Sequence, residues 1–144
     1  MELKFKKLHK DAVTPRRATE GSNGFDLTAI SKSFKYDDKG ELLYISYDTG
    51  LSFAVPEGYV GLLFARSSVS NIGLSLANGV GVGDQDFRGS ISFRFYETNK
   101  NTKHYAPGDR IGQLVIVAAP SFELNEVDTL DDTARGAGGY GSTS

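Results

Sequence analysis

The stretch Asn78-Gly-Val-Gly-Val-Gly-Asp-Gln-Asp-Phe-Arg-Gly89 lies between two alternating apolar runs. Before it, Ile72, Leu74 and Leu76 alternate with Gly73, Ser75 and Ala77; after it, Ile91, Phe93 and Phe95 alternate with Ser90, Ser92 and Arg94. Successive side chains on a strand point to opposite faces, so a period of two marks half-buried strands. The spacing predicts a β-hairpin with the glycine-rich stretch as its tip. Gly79, Gly81 and Gly83 fall at alternate positions, which leaves one face of the incoming strand bare and lets a flat ligand lie on peptide groups. A loose, solvated turn fits the same residues, because single glycine-rich matches are common. The rest of the chain has to decide between these readings.

Outward from that stretch the pattern stays short and strand-like. Tyr59 to Ala65 is a nearly unbroken apolar run, the best candidate for a central strand, and Ile111 to Val117 reads as another buried strand. Leu3 and Phe5 alternate with Lys4 and Lys6, which suggests an opening strand with one wet face. Phe25 and Leu27 mark a short strand from which Asp26 points away. Tyr44 to Val55 gives one or two strands that end at Pro56-Glu-Gly58. The segments Asp37-Asp-Lys-Gly40, Thr98 to Lys103 and Pro107-Gly-Asp-Arg110 carry turn chemistry. Arg66-Ser-Ser-Val69 has room for no more than a helical turn, whose N-H groups can face an anion. With no sustained helical period, short strands at regular turn spacing imply an all-β sandwich or barrel.

Composition narrows the function classes. The 144 residues fit one domain, and a net charge of -2 with a pI near 5.7 argues against a general electrostatic grip on nucleic acid. There is no cysteine and only His9 and His104, so thiolate sites are excluded and a histidine-rich zinc site is improbable. No apolar run is long enough to span a bilayer, and the expectation is a soluble, intracellular protein, cytoplasmic or in a host cell's cytoplasm, without membrane partners. Beyond Pro120 the pattern weakens into acidic and polar residues that end in Ala134-Arg-Gly-Ala-Gly-Gly-Tyr-Gly-Ser-Thr-Ser144. Ordering such a tail costs on the order of 1–2 kcal/mol per residue, which a ligand would have to offset. The expected division is a β core over residues 1–120 and a flexible glycine-rich arm over 121–144.

Five separated segments share one explanation: the Asp26 strand, Arg66-Ser-Ser68, Asn78 to Gly89, Gly108-Asp-Arg-Ile-Gly-Gln-Leu114, and Arg135 to Thr143. Their order, spacing and wording resemble the five motifs of the trimeric dUTPase family over nearly the whole chain, from Ala18 to Thr143. The resemblance implies a jelly-roll-like fold and a homotrimer in which each site is shared between subunits. It also implies cleavage of dUTP to dUMP and pyrophosphate by water attack at the α-phosphorus, with Mg2+ clamped by the triphosphate. Asp84 falls on the family's catalytic aspartate, and an ionised carboxylate, being acceptor-only, can polarise a water as general base. Asp86 is expected to be structural, pairing with a basic residue.

Arg66, Ser67 and Ser68 match the phosphate grip, where the planar guanidinium suits phosphate oxygens. Asp26 and Gln113 would hold the metal's water shell from outside, and Arg110 is expected to be structural. Asn78, Gly81 and Val82 match the uracil slot, whose backbone groups reject cytosine by leaving buried partners unpaired. Phe87 stands where the family usually has tyrosine against the deoxyribose, and Gly83 where it mostly has a branched residue. Packing into the core is the competing role for Phe87. In the tail, Tyr140 replaces the usual phenylalanine that closes over the base, while Arg135, Gly141, Ser142 and Thr143 match the group that wraps the terminal phosphate. Two rivals stay open at this stage: a dCTP deaminase-like enzyme of the same fold, and a nucleotide-responsive trimer that regulates a partner.

Overall fold

The computed structural model describes residues 1–100 and 103–142. Ten strands and one short 3-10 turn make up its regular structure: β1 (Lys4–Lys7), β2 (Phe25–Thr28), β3 (Ser31–Tyr36), β4 (Leu42–Asp48), β5 (Leu51–Ala54), β6 (Tyr59–Ala65), η1 (Ser67–Asn71), β7 (Leu74–Leu76), β8 (Gly81–Gly83), β9 (Ser92–Glu97) and β10 (Arg110–Ala118). They form two four-stranded sheets, β2-β10-β6-β8 and β3-β4-β9-β7, and a two-stranded ribbon β1-β5. Every pairing is antiparallel. The all-β expectation holds, and no helix among the described residues is long and apolar enough to cross a membrane.

Period-two patterning explains which faces meet. Ile45 and Tyr47 from β4, Phe93 and Phe95 from β9, Leu27 from β2 and Ile111 and Leu114 from β10 are buried in a single cluster between the sheets. Tyr47, Phe95 and Tyr105 meet edge to face, with ring centroids 5.7 to 6.0 Å apart, the arrangement the ring quadrupole favours. Gly112 is fixed by this packing: a Cβ there would fall 2.2 Å from Phe93 Cε1 and 2.9 Å from the Phe64 carbonyl. β6 is central as its sequence suggests, paired on one side with β10 and on the other with β8. The opening strand differs from its expected half-burial. All of β1 is exposed, because its partner is only the short β5 and no second layer covers it.

The glycine-rich stretch also departs from expectation. Its flanks pair as predicted, with Leu76 opposite Phe95, but the stretch is not a free hairpin tip. The chain leaves the β7-β9 ladder, crosses to the other sheet, and lays Gly81–Gly83 against β6 as β8, with Gly83 opposite Gly61 and Gly81 opposite Leu63. The bare glycine positions make this close approach possible. A Cβ on Gly81 would be 3.0 Å from Leu63 Cβ, and one on Gly83 3.2 Å from the Gly61 carbonyl. Part of the bareness that suggested a ligand face is thus taken up by the neighbouring strand.

After β10 the backbone through residue 142 joins no strand. Phe122, Leu124, Leu130 and Tyr140 are almost wholly exposed, which is more apolar surface than a segment of this length leaves bare without reason.

Candidate active site

β8 and its return carry the first group of site residues. Gly79 takes the left-handed backbone, φ 68°, that turns the chain into β8, and Val80 N-H donates to the Asn78 carbonyl at 2.7 Å. A cavity of about 240 Å³ opens between β8 and residues 87–92, lined by Asn78, Gly81, Val82, Asp84, Phe87 and Leu63 among others. Leu63 reaches it because Gly81 has no side chain in the way. A neighbouring cavity of about 390 Å³ shares Leu63, Asn78, Gly81 and Ser92, and continues to Arg94, whose guanidinium lies 4.8 Å above the Tyr44 ring centre.

Asp84 sits at the mouth of the first cavity. It is exposed, and its carboxylate makes no hydrogen bond or ion pair with any described residue. It is therefore not spent on satisfying a turn. Asp86 does not make the basic pairing expected of it. The nearby cation, Arg88, instead donates to the carbonyls of Gln85 and Phe87 at 2.5 and 2.9 Å, which staples the turn behind Asp84. The Arg88 carbonyl in turn accepts from Ser52 Oγ at 2.8 Å, anchoring that turn to β5. Phe87 is 46% exposed and so is not a core residue. Its ring seats over Gly89, where a Cβ would clash at 2.5 Å, and so faces the cavity.

The second group gathers at the other end of β6. Arg66 follows directly on the strand with extended backbone and starts η1, and its guanidinium donates to the Arg110 carbonyl at 3.3 Å. Ser67 is exposed and Ser68 half-buried in the same turn. Asp26 and Gln113 are register partners across β2 and β10. The Asp26 carboxylate binds Arg110 at 2.8 Å and is only 12% exposed, while Gln113 Nε2 approaches the Ala65 carbonyl at 3.4 Å. Gln113 Oε1 fills the space beside Gly24, where a Cβ would lie 2.3 Å from it.

Arg66, Arg110, Arg16, Lys103 and Tyr105 line a cavity of about 550 Å³, cationic on balance. Sequence reading missed Arg16, Tyr105 and Leu63 in these roles. Tyr105 stands in polar turn sequence and Leu63 in a plain apolar run, so neither carried a signal.

The third group, in the tail, lines none of these three cavities. Arg135 Nε donates to the Gly138 carbonyl at 2.7 Å, and Ser142 N-H to Gly139 at 3.0 Å, so this segment turns on itself. Tyr140 projects fully into solvent from a left-handed backbone, φ 55°, next to Gly141, φ 87°. Thr143 lies outside the described residues.

One chain thus holds its three groups apart. Asp84 follows Gly83, which is opposite Gly61, whereas Arg66 comes directly after the last residue of the same strand; at about 3.3 Å per residue the two lie roughly 20 Å apart. No cavity described above is lined by both.

Fold and site together define a class: jelly-roll-like β proteins with a glycine-walled cavity at one strand end and a cationic serine-bearing turn at the other. A dUTPase family profile matches residues 10–144, and the chain belongs to the dUTPase family. Among curated relatives, the deoxyuridine 5'-triphosphate nucleotidohydrolase of Wolinella succinogenes is 38% identical over 144 residues, covering 99% of this chain and 94% of that protein. The enzyme of the same name from Avian adenovirus 8 is 40% identical over 146 residues, covering 99% and 85%. Among solved structures, the Staphylococcus bacteriophage 80alpha dUTPase with dUPNHPP superposes with a TM-score of 0.83 at 26% identity, covering 99% and 98%.

Proposed function

We propose that this dUTPase-family enzyme hydrolyses dUTP to dUMP and pyrophosphate, with Asp84 as the general base for water attack at the α-phosphorus. The observation that carries this reading is the unengaged Asp84 carboxylate at the mouth of the slot floored by Leu63 and walled by Asn78, Gly81 and Phe87. Uracil takes the slot, where backbone donors and acceptors of β8 match its edge. The Phe87 ring lies against the deoxyribose and leaves no room for a 2'-hydroxyl. Loss of tyrosine's hydroxyl at this position leaves that steric selection intact, since it rests on apolar shape. Arg66, Ser67 and Ser68 hold the phosphates and oppose the charge that develops as pyrophosphate departs.

Among the described residues no cluster of three acidic or histidine side chains exists that could cage a metal. Mg2+ prefers oxygen ligands and retains several waters, so the oxygen donors Asp26 and Gln113, beside the phosphate grip, suit an outer role toward an ion carried on the triphosphate. When bound, the ion supplies charge neutralisation on the phosphate oxygens.

The separation of Asp84 from Arg66 favours a homotrimer in which one chain supplies the slot, a second the phosphate grip and a third the tail. Residues 121–144 serve as the arm that crosses between subunits. Tyr140 stacks over the base, a contact that needs only its π-face, while Arg135, Gly141, Ser142 and Thr143 close on the terminal phosphate. The arm carries Phe122, Leu124 and Leu130 among acidic residues. The β1-β5 ribbon offers a groove of about 370 Å³ with Phe5, Leu8 and Phe53 between Lys4, Lys6 and Arg88, complementary in both charge and polarity.

The experiment is pyrophosphate release measured across deoxy- and ribonucleoside triphosphates, with ammonia release from dCTP followed in parallel. Rapid turnover of dUTP alone is expected. Turnover of dCTP with release of ammonia, and none of dUTP, would overturn the reading.

A further inference from the structure

The turn that carries Arg66, Ser67 and Ser68 is anchored on its far side, where Val69 and Ile72 pack against the core, whereas Ser67 is exposed and Ser68 half-buried. It is a five-residue 3-10 segment without a side-chain cap, and none of its residues is buried. Its bonds include Val69 N-H to the Arg66 carbonyl at 3.0 Å, Ile72 N-H to the Val69 carbonyl at 3.2 Å and Ser70 Oγ to the Ser67 carbonyl at 3.3 Å. Short 3-10 turns have poor hydrogen-bond geometry and depend on outside contacts for a fixed conformation. The serine side of such a turn, gripping a triphosphate, gains from a rigid contact beside it.

Tyr105 is placed to be that support. Its ring is 7% exposed and wedged edge to face between Tyr47 and Phe95, both wholly buried. Its carbonyl accepts a hydrogen bond from the Tyr47 hydroxyl at 3.0 Å, so backbone and ring are both fixed. The Tyr105 hydroxyl, by contrast, is the one buried side-chain polar atom among the described residues that makes no hydrogen bond of acceptable geometry. An unsatisfied buried hydroxyl is costly, and one on a rigid ring calls for an explanation. Tyr105 lines the cavity that holds Arg66 and Arg110, and its hydroxyl is close enough to Ser68 and Arg66 for both to favour its ionised form. Burial outweighs them and raises its pKa above the ordinary 10.0, so the phenol keeps its proton and remains a donor at neutral pH.

We propose that Tyr105 is a positioning residue for the phosphate grip: its hydroxyl pairs with the Ser68 hydroxyl in the substrate-bound site and so fixes the Arg66-Ser67-Ser68 turn against the triphosphate. The proposal rests on the phosphate-binding role of that turn. The hydroxyl never touches the α-phosphorus or the attacking water; it acts through Ser68. A contact made equally in the ground and transition states lowers KM and leaves kcat alone.

Tyr105→Phe removes the hydroxyl and keeps the ring. It is expected to raise the KM for dUTP about 3- to 10-fold, the range of a single neutral hydrogen bond, with kcat unchanged and the thermal midpoint unchanged or higher. Ser68→Ala is expected to raise KM similarly, and adding Tyr105→Phe to it to change nothing further. An unchanged KM in Tyr105→Phe, with or without a gain in stability, overturns the proposal, because a purely packed tyrosine behaves that way. Full additivity of the two substitutions overturns it as well. If Tyr105→Phe fails to fold, Ser68→Ala alone decides, and an unchanged KM there counts against the proposal. Wild-type protein inert toward dUTP would instead contradict the assigned reaction, a separate failure.

Discussion

At the N-terminal end of β6, Gly61 lies beside Gly83 and the neighbouring chain turns at once to an exposed Asp84; at the C-terminal end, Ala65 runs into Arg66, bonded to the Arg110 carbonyl above a rigid aromatic layer. The first end is built by removing side chains, so that backbone and one free carboxylate face a ring-sized cavity. The second is built by adding charge and bracing it through Asp26, Arg110 and Tyr105. A base that must accept a proton from water gains from access and a fixed acceptor. A phosphate clamp gains from cations that cannot move away. On the proposed roles these are two half-sites of different chemistry at the two ends of one strand, roughly 20 Å apart within the chain.

The contrast predicts different failures at the two ends. Asp84→Asn is expected to lower kcat by about 10²- to 10⁴-fold, the usual range for a positioned general base, while a non-hydrolysable dUTP analogue still binds. Retained turnover would show that Asp84 is not the base. Arg66→Ala should act mainly through binding, raising KM on the order of 10- to 100-fold for the loss of a charge-assisted contact worth about 1.5–3 kcal/mol. If both substitutions gave the same pattern of kcat and KM, the division of labour would collapse.

Next in size is the arm. Deleting residues 134–144 should lower turnover about 10-fold or more by leaving the site open to water, with β-sheet circular dichroism preserved, since none of the described residues among them belongs to the core. Proteolysis of this segment should slow when the dUTP analogue is added. Equal cleavage with and without it would detach the arm from the site.

The smallest effect concerns the aromatic layer under the Arg66 end. Burial, reinforced by Asp109, pushes the Tyr47 hydroxyl from 10.0 up to about 12, and burial raises Tyr105 as well. The folded chain therefore retains protons that the unfolded chain loses, and stability falls as pH rises from about 10 toward 12. Below that window these two groups make no difference. Chemical denaturation at pH 9, 10 and 11 checks the slope, and Tyr47→Phe should flatten part of it.

Much of this was legible in the sequence, for stated physical reasons. Strand β6 announced itself through a nearly unbroken apolar run, and the β7-β9 pairing through clean alternation. Asp84, Arg66 and Ser68 could be singled out because motif wording carries chemistry, and the roles proposed for them await the tests above. The crossing of β8 to the second sheet was not legible, because glycine reports a missing side chain and not which neighbour uses the space. Asp86 was misjudged for a related reason: the sequence shows Arg88 nearby but not that its guanidinium is taken by the Gln85 and Phe87 carbonyls. Tyr105 stayed hidden because its role depends on a cross-sheet contact with Tyr47 and on proximity to a turn far away in the chain.

The sharing of sites between chains is tested most directly by mixing two crippled proteins. Asp84→Asn and Arg66→Ala chains, each assayed at dUTP well below KM, should be nearly silent alone. Unfolded together in equal amounts and refolded, they should recover about one quarter of wild-type activity, because every mixed trimer then holds one complete site. No recovery from a mixture that has refolded into trimers would place Asp84 and Arg66 of one chain in the same site and contradict the account.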